Sequence, residues 1–238
     1  MSTSANLTTR QQKILGAIVE QYAEVAAPVG SSLLAKVFEV SPATIRAEMA
    51  VLERKGYIKQ PHTSAGRVPT DKGYRLYVNG LSEKDGEKVS RQAYAIERQI
   101  NDSGEIEQAI TNAIHALAMA TDNFSIGIWN DRIYQYGLTG LLGHPEFFGG
   151  REALEIARLV ESLPEVIKQI SDDSNRVTVC IGQENPLFQS AGASSVIGRV
   201  QTPEGQGFIA VIGPTRQNYG QVIGLVDYVS KSLERTLA

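Results

Sequence analysis

Residues 41–69 have the sequence SPATIRAEMAVLERKGYIKQPHTSAGRVP, which predicts a helix followed by two short strands. Ser41 stands directly before Pro42, so the serine suits the N-cap and the proline the first helical position, where a missing N–H costs nothing. Three apolar residues recur at helical spacing and predict a buried stripe, namely Ile45, Met49 and Leu52. Gly56 ends the helix, and residues 57–69 then form two strands around a polar, glycine-containing tip.

Two helices are predicted before this stretch and one after it. The first has apolar residues at intervals of three and four, namely Ile14, Leu15, Ile18, Val19, Tyr22 and Val25. Thr9, followed three residues later by Gln12, fits a capping box at its start. Ser31 or Ser32 caps a short second helix, and Thr70 caps the helix after the strands. Two helices joined by a tight turn are typical of a helix-turn-helix, and a following strand pair is typical of a wing.

The charge of the chain is divided unevenly along its length. The formal net charge is -3, yet residues 1–80 carry 10 Lys and Arg against 6 Asp and Glu, whereas residues 81–238 carry 13 against 20. From Arg54 to Arg75, six basic residues face a single acidic one, Asp71. Such asymmetry indicates that a module for nucleic acid or a membrane surface is joined to an acidic domain.

The helix after Ser41 has the properties of a recognition helix. Its outer face carries small and hydrogen-bonding residues that can reach base edges, and basic residues around it and in the wing can hold phosphates. The predicted DNA-binding residues are Ser41, Ala43, Thr44, Arg46, Ala47, Arg54, Lys59, His62, Thr63, Ser64, Arg67, Lys72 and Arg75. Winged helices also bind proteins, so the alternative of a ligand- or protein-sensing module whose winged helix docks a protein partner stays open.

The sequence predicts an α+β protein with three parts. Residues 1–81 form the winged helix-turn-helix domain, residues 82–103 a helical linker, and residues 104–238 a second domain. In that domain the predicted order is α-β-β-α-β-β-β-α, which suggests an antiparallel sheet with helices packed on it. The predicted strands cover residues 124–129, 133–136, 177–181, 195–200 and 208–212, and an Asn130-Asp131 turn joins the first two.

Other functions find little support in the sequence. No apolar run is long enough to span a bilayer and the N-terminus lacks the apolar segment of a secretory signal, so we expect a cytoplasmic protein with no membrane partner. The three histidines, at positions 62, 115 and 144, lie far apart, and the only cysteine is Cys180. We therefore predict no metal, no cofactor and no catalytic residues, since no nucleophile–base pair can be named. Gly137, Gly140 and Gly143 form no phosphate-binding pattern and are interpreted as turns.

The segment from Ser41 to Met49, together with Leu52-Glu53, Gly56-Tyr57 and the run from Gln60 to Arg75, closely resembles the heat-inducible transcription repressor family, HrcA. The second domain is similar more loosely. The matching segments there are Gly137 to Phe147, Ile181 to Pro186, Val211 to Arg216 and Tyr219 to Val229. The resemblance thus extends over most of the chain, densely before residue 81.

The resemblance implies a dimeric repressor that binds an inverted-repeat operator upstream of chaperone genes. It also implies a GAF-like second domain and an activity that the GroE chaperonin maintains. Family members are usually longer, because a dimerisation domain is inserted in the GAF-like part. Here only a few residues join Trp129 to Ile133, so we expect that insert to be missing.

Overall fold

The computed structural model divides the chain into two compact units, Met1–Leu81 and Ser82–Ala238. The residues it describes are 7–63, 65–81, 91–150, 154–158, 160–161, 175–184, 192–203 and 205–236. Ser64 of the predicted DNA-binding set and residues 82–90 of the predicted linker lie outside these ranges. No helix among the described residues is both long enough and apolar enough to cross a membrane.

The first unit is a winged helix-turn-helix, as predicted. Its elements are α1 (Thr9–Val25), α2 (Ser31–Val37), α3 (Pro42–Arg54), β1 (Ile58–Lys59), β2 (Val68–Pro69) and α4 (Asp71–Gly80). The strands β1 and β2 pair antiparallel, with Ile58 opposite Pro69. The predicted apolar stripe of α3 is confirmed, since Ile45, Met49 and Leu52 are all buried. They pack within a core to which α1 contributes Ile14, Leu15, Ile18 and Val19.

Two predicted helix starts are wrong. The capping box of α1 uses Thr8 and Gln11, one residue earlier than predicted. Gln11 is selected because its amide also donates to Glu48 of α3, at 3.0 Å, a tertiary contact that the local pattern does not reveal. The N-cap of α2 is Gly30, which has no side chain to cap with, rather than Ser31 or Ser32. The residue before Gly30 is already held by backbone pairing with the wing.

The second unit is an α+β domain, as predicted. Its helices are α5 (Arg91–Asn101), α6 (Ile106–Thr121), α7 (Leu138–Leu142) and α8 (Tyr219–Thr236), and residues 154–158 and 160–161 are also helical. Its strands are β3 (Phe124–Trp129), β4 (Arg132–Tyr136), β5 (Val177–Ile181), β6 (Ala193–Thr202) and β7 (Gly205–Pro214). They form one antiparallel sheet in the order β4-β3-β7-β6-β5.

Both faces of the sheet are covered at its centre, and β3 is buried along its whole length. On one face, β3 contributes Phe124, Ile126 and Ile128 to a core cluster that includes Leu141, Phe147 and Ile156. On the other face, a Cβ built on Gly127 would lie 3.0 Å from the side chain of Ile114 in α6. The interpretation of Gly137, Gly140 and Gly143 as turns is wrong in part. They flank or lie within α7, whose apolar side packs on the sheet.

The predicted linker contains α5, whose side chains Ala93, Ile96 and Ile100 are buried within the second unit. Polar contacts join this helix to α8. Tyr228 donates a hydrogen bond to Glu97, which also accepts one from Arg235 at 2.6 Å. Burial, together with the hydrogen bond to Glu97, raises the pKa of Tyr228 to about 12. The phenol therefore stays protonated and remains a donor throughout the neutral range.

Candidate DNA interface

The N-terminus of α3 is capped by its predicted residue. Ser41 Oγ accepts from the Thr44 backbone N–H at 3.1 Å and lies 2.9 Å from the Thr44 hydroxyl. Pro42 follows at the first helical position. Ser41 and Ala43 are exposed, so this helix end faces solvent. The free N–H groups of a helix N-terminus attract anions, which suits contact with a phosphate.

Two replacements of Ser41 separate the contribution of the N-cap to stability from the effect of charge on DNA binding. We expect Ser41→Ala to lower the free energy of unfolding of the first unit by about 1 kcal/mol, because the cap is lost. Ser41→Asp keeps an acceptor for the cap and should preserve stability, but its negative charge should weaken binding to duplex DNA. Chemical denaturation and a DNA-binding titration on the same preparations would check both effects. Equal stability of the alanine variant and the wild type would contradict the capping role.

The face of α3 opposite the core is formed by small and basic residues. Ala43, Arg46, Ala47 and Arg54 are exposed, and Thr44 is half-buried. The side chains of Arg46, Arg54 and the exposed wing residue Lys59 make no hydrogen bond or ion pair with any residue that the structure describes. Small residues let a helix approach base edges closely, and unengaged cations are available for phosphates or guanines.

Lys72 has an intramolecular role as well as a positive charge. Its Nζ donates to the backbone carbonyl of Lys55 at 2.8 Å and lies 4.7 Å from the centroid of the Tyr57 ring. Lys55 is the C-cap of α3. A cation beside the last carbonyls of a helix stabilises that helix end. Lys72 is nevertheless exposed, and Arg75 on the same helix is half-buried.

The wing is attached to the rest of the unit through backbone pairing that the sequence did not reveal. Val29, ahead of α2, forms an antiparallel bridge with Arg67. Gly66 allows this approach, since a Cβ there would stand 2.4 Å from the Val29 carbonyl oxygen. At the tip of the wing, His62 and Thr63 are exposed. The only local signal for the bridge was the glycine before Arg67, because pairing partners 38 positions apart leave no periodicity in the sequence.

Arg67 differs from the other predicted cations because its guanidinium contacts Glu53 of α3. Sequence reasoning missed Glu53, which lies next to Arg54 on the recognition helix. The structure thus brings the predicted residues of α3, the wing and the start of α4 together in one unit, with Ser64 outside the described ranges. Among the described residues, no group of histidine, cysteine or carboxylate side chains could hold a metal ion.

Two family models match the chain, and their ranges overlap at residues 73–81. A family model described as "Winged helix-turn-helix transcription repressor, HrcA DNA-binding" matches residues 6–81. A second, described as "HrcA protein C terminal domain", matches residues 73–223. A solved crystal structure of a hypothetical protein, 21% identical, matches 98% of this chain and 99% of its own with a TM-score of 0.77, which shows a shared fold.

Curated relatives carry the name heat-inducible transcription repressor HrcA. The one from Desulforamulus reducens is 28% identical over 337 aligned residues, which cover 96% of this chain and 96% of the relative. The one from Pelotomaculum thermopropionicum is 49% identical over 109 residues, or 43% of this chain and 31% of the relative. Since this chain has 238 residues, roughly a hundred positions of the 337-residue alignment have no counterpart in it. Between β3 and β4, only Asn130 and Asp131 form the turn, both with positive φ.

Proposed function

This chain belongs to the HrcA family, and we propose that it is a transcription repressor that binds duplex DNA through its winged-helix unit. The observation that carries the proposal is the two-sided character of α3. Its apolar stripe is buried and its N-terminus is capped at the surface. Its exposed face presents small residues beside Arg46 and Arg54, whose side chains have no hydrogen-bond or ion-pair partner among the described residues. A helix that inserts into a major groove needs these two faces, one buried in its own domain and one exposed to the bases and phosphates.

Each predicted residue has a distinct role in this proposal. Ala43 and Ala47 allow close approach to base edges and can meet thymine methyl groups, and Thr44 can hydrogen-bond to a base. Arg46 contacts a guanine or a phosphate, whereas basic residues around the helix and wing hold the backbone. The residues proposed to contact the DNA backbone or, from the wing, the minor groove are Ser41, Arg54, Lys59, His62, Thr63, Ser64, Lys72 and Arg75.

Arg46→Ala is the variant that tests the recognition helix. A duplex selected by the wild type from a random library serves as the probe. We expect roughly a 5- to 150-fold loss of affinity, since a base contact by arginine contributes about 1–3 kcal/mol. The matched control is Arg98→Ala, which removes an exposed arginine from α5 in the second unit. A gel-shift titration measures both, and failure of the selection together with no wild-type binding at about 50 mM salt would refute DNA recognition.

We further propose that the repressor acts as a homodimer on an inverted-repeat operator. Two recognition helices in successive major grooves lie about 34 Å apart, one helical turn of DNA. Insertion of half a turn between the half-sites should therefore abolish cooperative binding, and sedimentation should give a dimer. A chain that sediments as a monomer and binds single half-sites equally well would contradict this arrangement. The dimer would form without the inserted domain of the longer relatives.

The regulatory proposals rest on family membership. We propose that the target genes encode chaperones, that the protein acts in the cytoplasm without catalysing a reaction, and that the GroE chaperonin maintains the DNA-binding form. Refolding the denatured repressor with and without GroE, then measuring the fraction that binds operator, tests the last point. The alternative function, in which the winged helix docks a protein partner, predicts a complex that competitor DNA does not disrupt.

A further inference from the structure

Arg67, at the entry to β2, makes its side-chain contacts within the winged-helix unit. Its Nε donates to Glu53 Oε2 at 3.0 Å, and its Nη2 lies 3.0 Å from the same oxygen. Its Nη1 donates to the carbonyl oxygen of Ala65 at 3.4 Å. All three guanidinium nitrogens are therefore engaged, and they join the last turn of α3 to the loop of the wing.

The backbone of Arg67 is held at the same place. Its N–H donates to the carbonyl oxygen of Val29, and the Val29 N–H donates to the carbonyl oxygen of Arg67, both at 2.9 Å. The neighbouring Gly66 leaves the space that this pairing needs, because a Cβ would clash with the Val29 backbone. Arg67 thus links three segments, which are the recognition helix, the chain before α2, and the wing.

The environment of Arg67 differs from that of the exposed cations. Its side chain is 22% exposed and that of Glu53 is 34% exposed. A partly shielded arginine that donates twice to a carboxylate is bound more firmly than a surface pair. If Arg67 left this position to contact a phosphate, the carboxylate of Glu53 would be unpaired close to the DNA backbone. The exposed Arg46, Arg54 and Lys59 have no carboxylate partner to leave among the described residues.

We propose that Arg67 and Glu53 form a clamp that fixes the wing against the recognition helix, so that both reach the same duplex. Arg67 is then a positioning residue and not a phosphate contact. The inference rests on the proposed DNA binding and deepens it. Charge alone predicts that an acidic residue on the recognition helix weakens binding to a polyanion such as DNA. The clamp predicts the opposite for Glu53, because this carboxylate holds the wing in position.

Glu53→Gln tests this consequence, with Glu48→Gln as the matched control. Both variants remove one negative charge from α3. Glu48 accepts a hydrogen bond from Gln11 of α1 and has no hydrogen bond or ion pair with the described part of the wing. The clamp predicts that Glu53→Gln lowers operator affinity about five- to tenfold, while Glu48→Gln leaves it equal or slightly higher. If Glu53 only competes with phosphates for Arg67, its removal should raise the affinity. The two interpretations therefore predict changes of opposite sign.

Variants of Arg67 give a second, independent test. Arg67→Lys keeps a point charge for a phosphate but loses the paired N–H donors of the guanidinium. The clamp predicts that Arg67→Lys and Arg67→Gln bind the operator about equally weakly. Adding Glu53→Gln to either variant should lower the affinity little further, because the ion pair that it would break is already lost. The clamp also predicts an unchanged salt dependence, whereas loss of a phosphate contact reduces the slope of log K against log salt by about 0.9. Near wild-type affinity of Arg67→Lys, with a reduced slope for Arg67→Gln, would overturn the clamp.

Amide hydrogen exchange, measured on the protein without DNA, tests the clamp independently of DNA binding. In Glu53→Gln the amides of Val29 and Arg67 should exchange faster than in the wild type, with no such change in Glu48→Gln. Circular dichroism at the assay temperature verifies that each variant is folded. Unchanged exchange at both amides would overturn the clamp itself, even if the wild type binds its operator. If Glu53→Gln exchanges faster than the wild type but the wild type binds no DNA, the clamp is supported and the proposed function is refuted.

Discussion

Gly73→Ala is expected to destabilise the winged-helix unit by about 3 kcal/mol or more, because an added methyl group has no space. Gly73 is the third residue of α4, and a Cβ there would stand 2.1 Å from the carbonyl oxygen of Tyr57. Neither side of this contact moves easily. Thr70 accepts from the Gly73 N–H at 3.1 Å and donates to the Gly56 carbonyl oxygen at 2.7 Å, so the start of α4 is tied to the chain that enters β1.

Gly80→Ala is the control for this substitution. Gly80 is the last residue of the same helix, and apart from its chain neighbours no described residue lies within 4 Å of a Cβ built on it. Alanine there should be neutral or stabilising, by up to about 1 kcal/mol. Thermal unfolding followed by circular dichroism measures the loss of helix in both units. Fluorescence of Trp129, the only tryptophan, reports on the second unit. Equal melting of Gly73→Ala and Gly80→Ala would show that α4 shifts freely away from Tyr57.

Gly137→Ala should have a comparable effect on the second unit, about 4 kcal/mol, from two causes. The residue adopts φ +89°, a left-handed conformation that disfavours residues with a Cβ, and it serves as N-cap of α7. In addition, the new Cβ would lie 2.4 Å from the carbonyl oxygen of Asn123 and 2.8 Å from the Cβ of Ala118. The substitution therefore displaces α7 from the sheet, where Leu141 belongs to the core cluster.

Gly192→Ala separates these two causes. Gly192 lies in the same unit with φ +61°, and among the residues the structure describes none except its chain neighbours lies within 4 Å of a Cβ built on it. Its replacement should cost only the conformational term, about 1–2 kcal/mol. The difference between the two variants, measured by denaturant unfolding monitored through Trp129, gives the energy of the steric clash. If both variants lose the same free energy of unfolding, Asn123 and Ala118 move aside for the new methyl group and no steric clash remains.

The parts of the fold that the sequence predicted well are those with a local physical cause. Pro42 after Ser41 marks the start of α3, and the spacing of its apolar residues marks its buried side. The run from Phe124 to Trp129 predicted β3 with its observed bounds, because a strand buried on both faces carries mainly apolar and small residues. Asn130 and Asp131 predicted the turn that follows, since both residue types tolerate positive φ.

The parts that escaped prediction depend on residues far apart in the chain. Gln11, rather than Gln12, completes the capping box of α1, and the same side chain donates to Glu48, which is 37 positions away. The short helix α7 was taken for a turn, since five residues between glycines carry too little periodicity to identify a helix. The burial of α5 within the second unit was equally hidden, because a polar amphipathic helix has the same pattern whether it is a linker or packs on a neighbour.

The DNA-binding residues illustrate the same limit. From the sequence, all of the cations Arg46, Arg54, Lys59, Arg67 and Lys72 were predicted to contact DNA. The sequence by itself determined that a winged helix with a basic outer face is joined to an acidic α+β domain, because caps, periodicity and net charge are properties of short segments. Only the tertiary structure separated the exposed arginines of α3 from Arg67, which is paired with Glu53. An ion pair needs two side chains within a few ångströms, and that distance is created by packing α3 against the wing and not by their order along the chain.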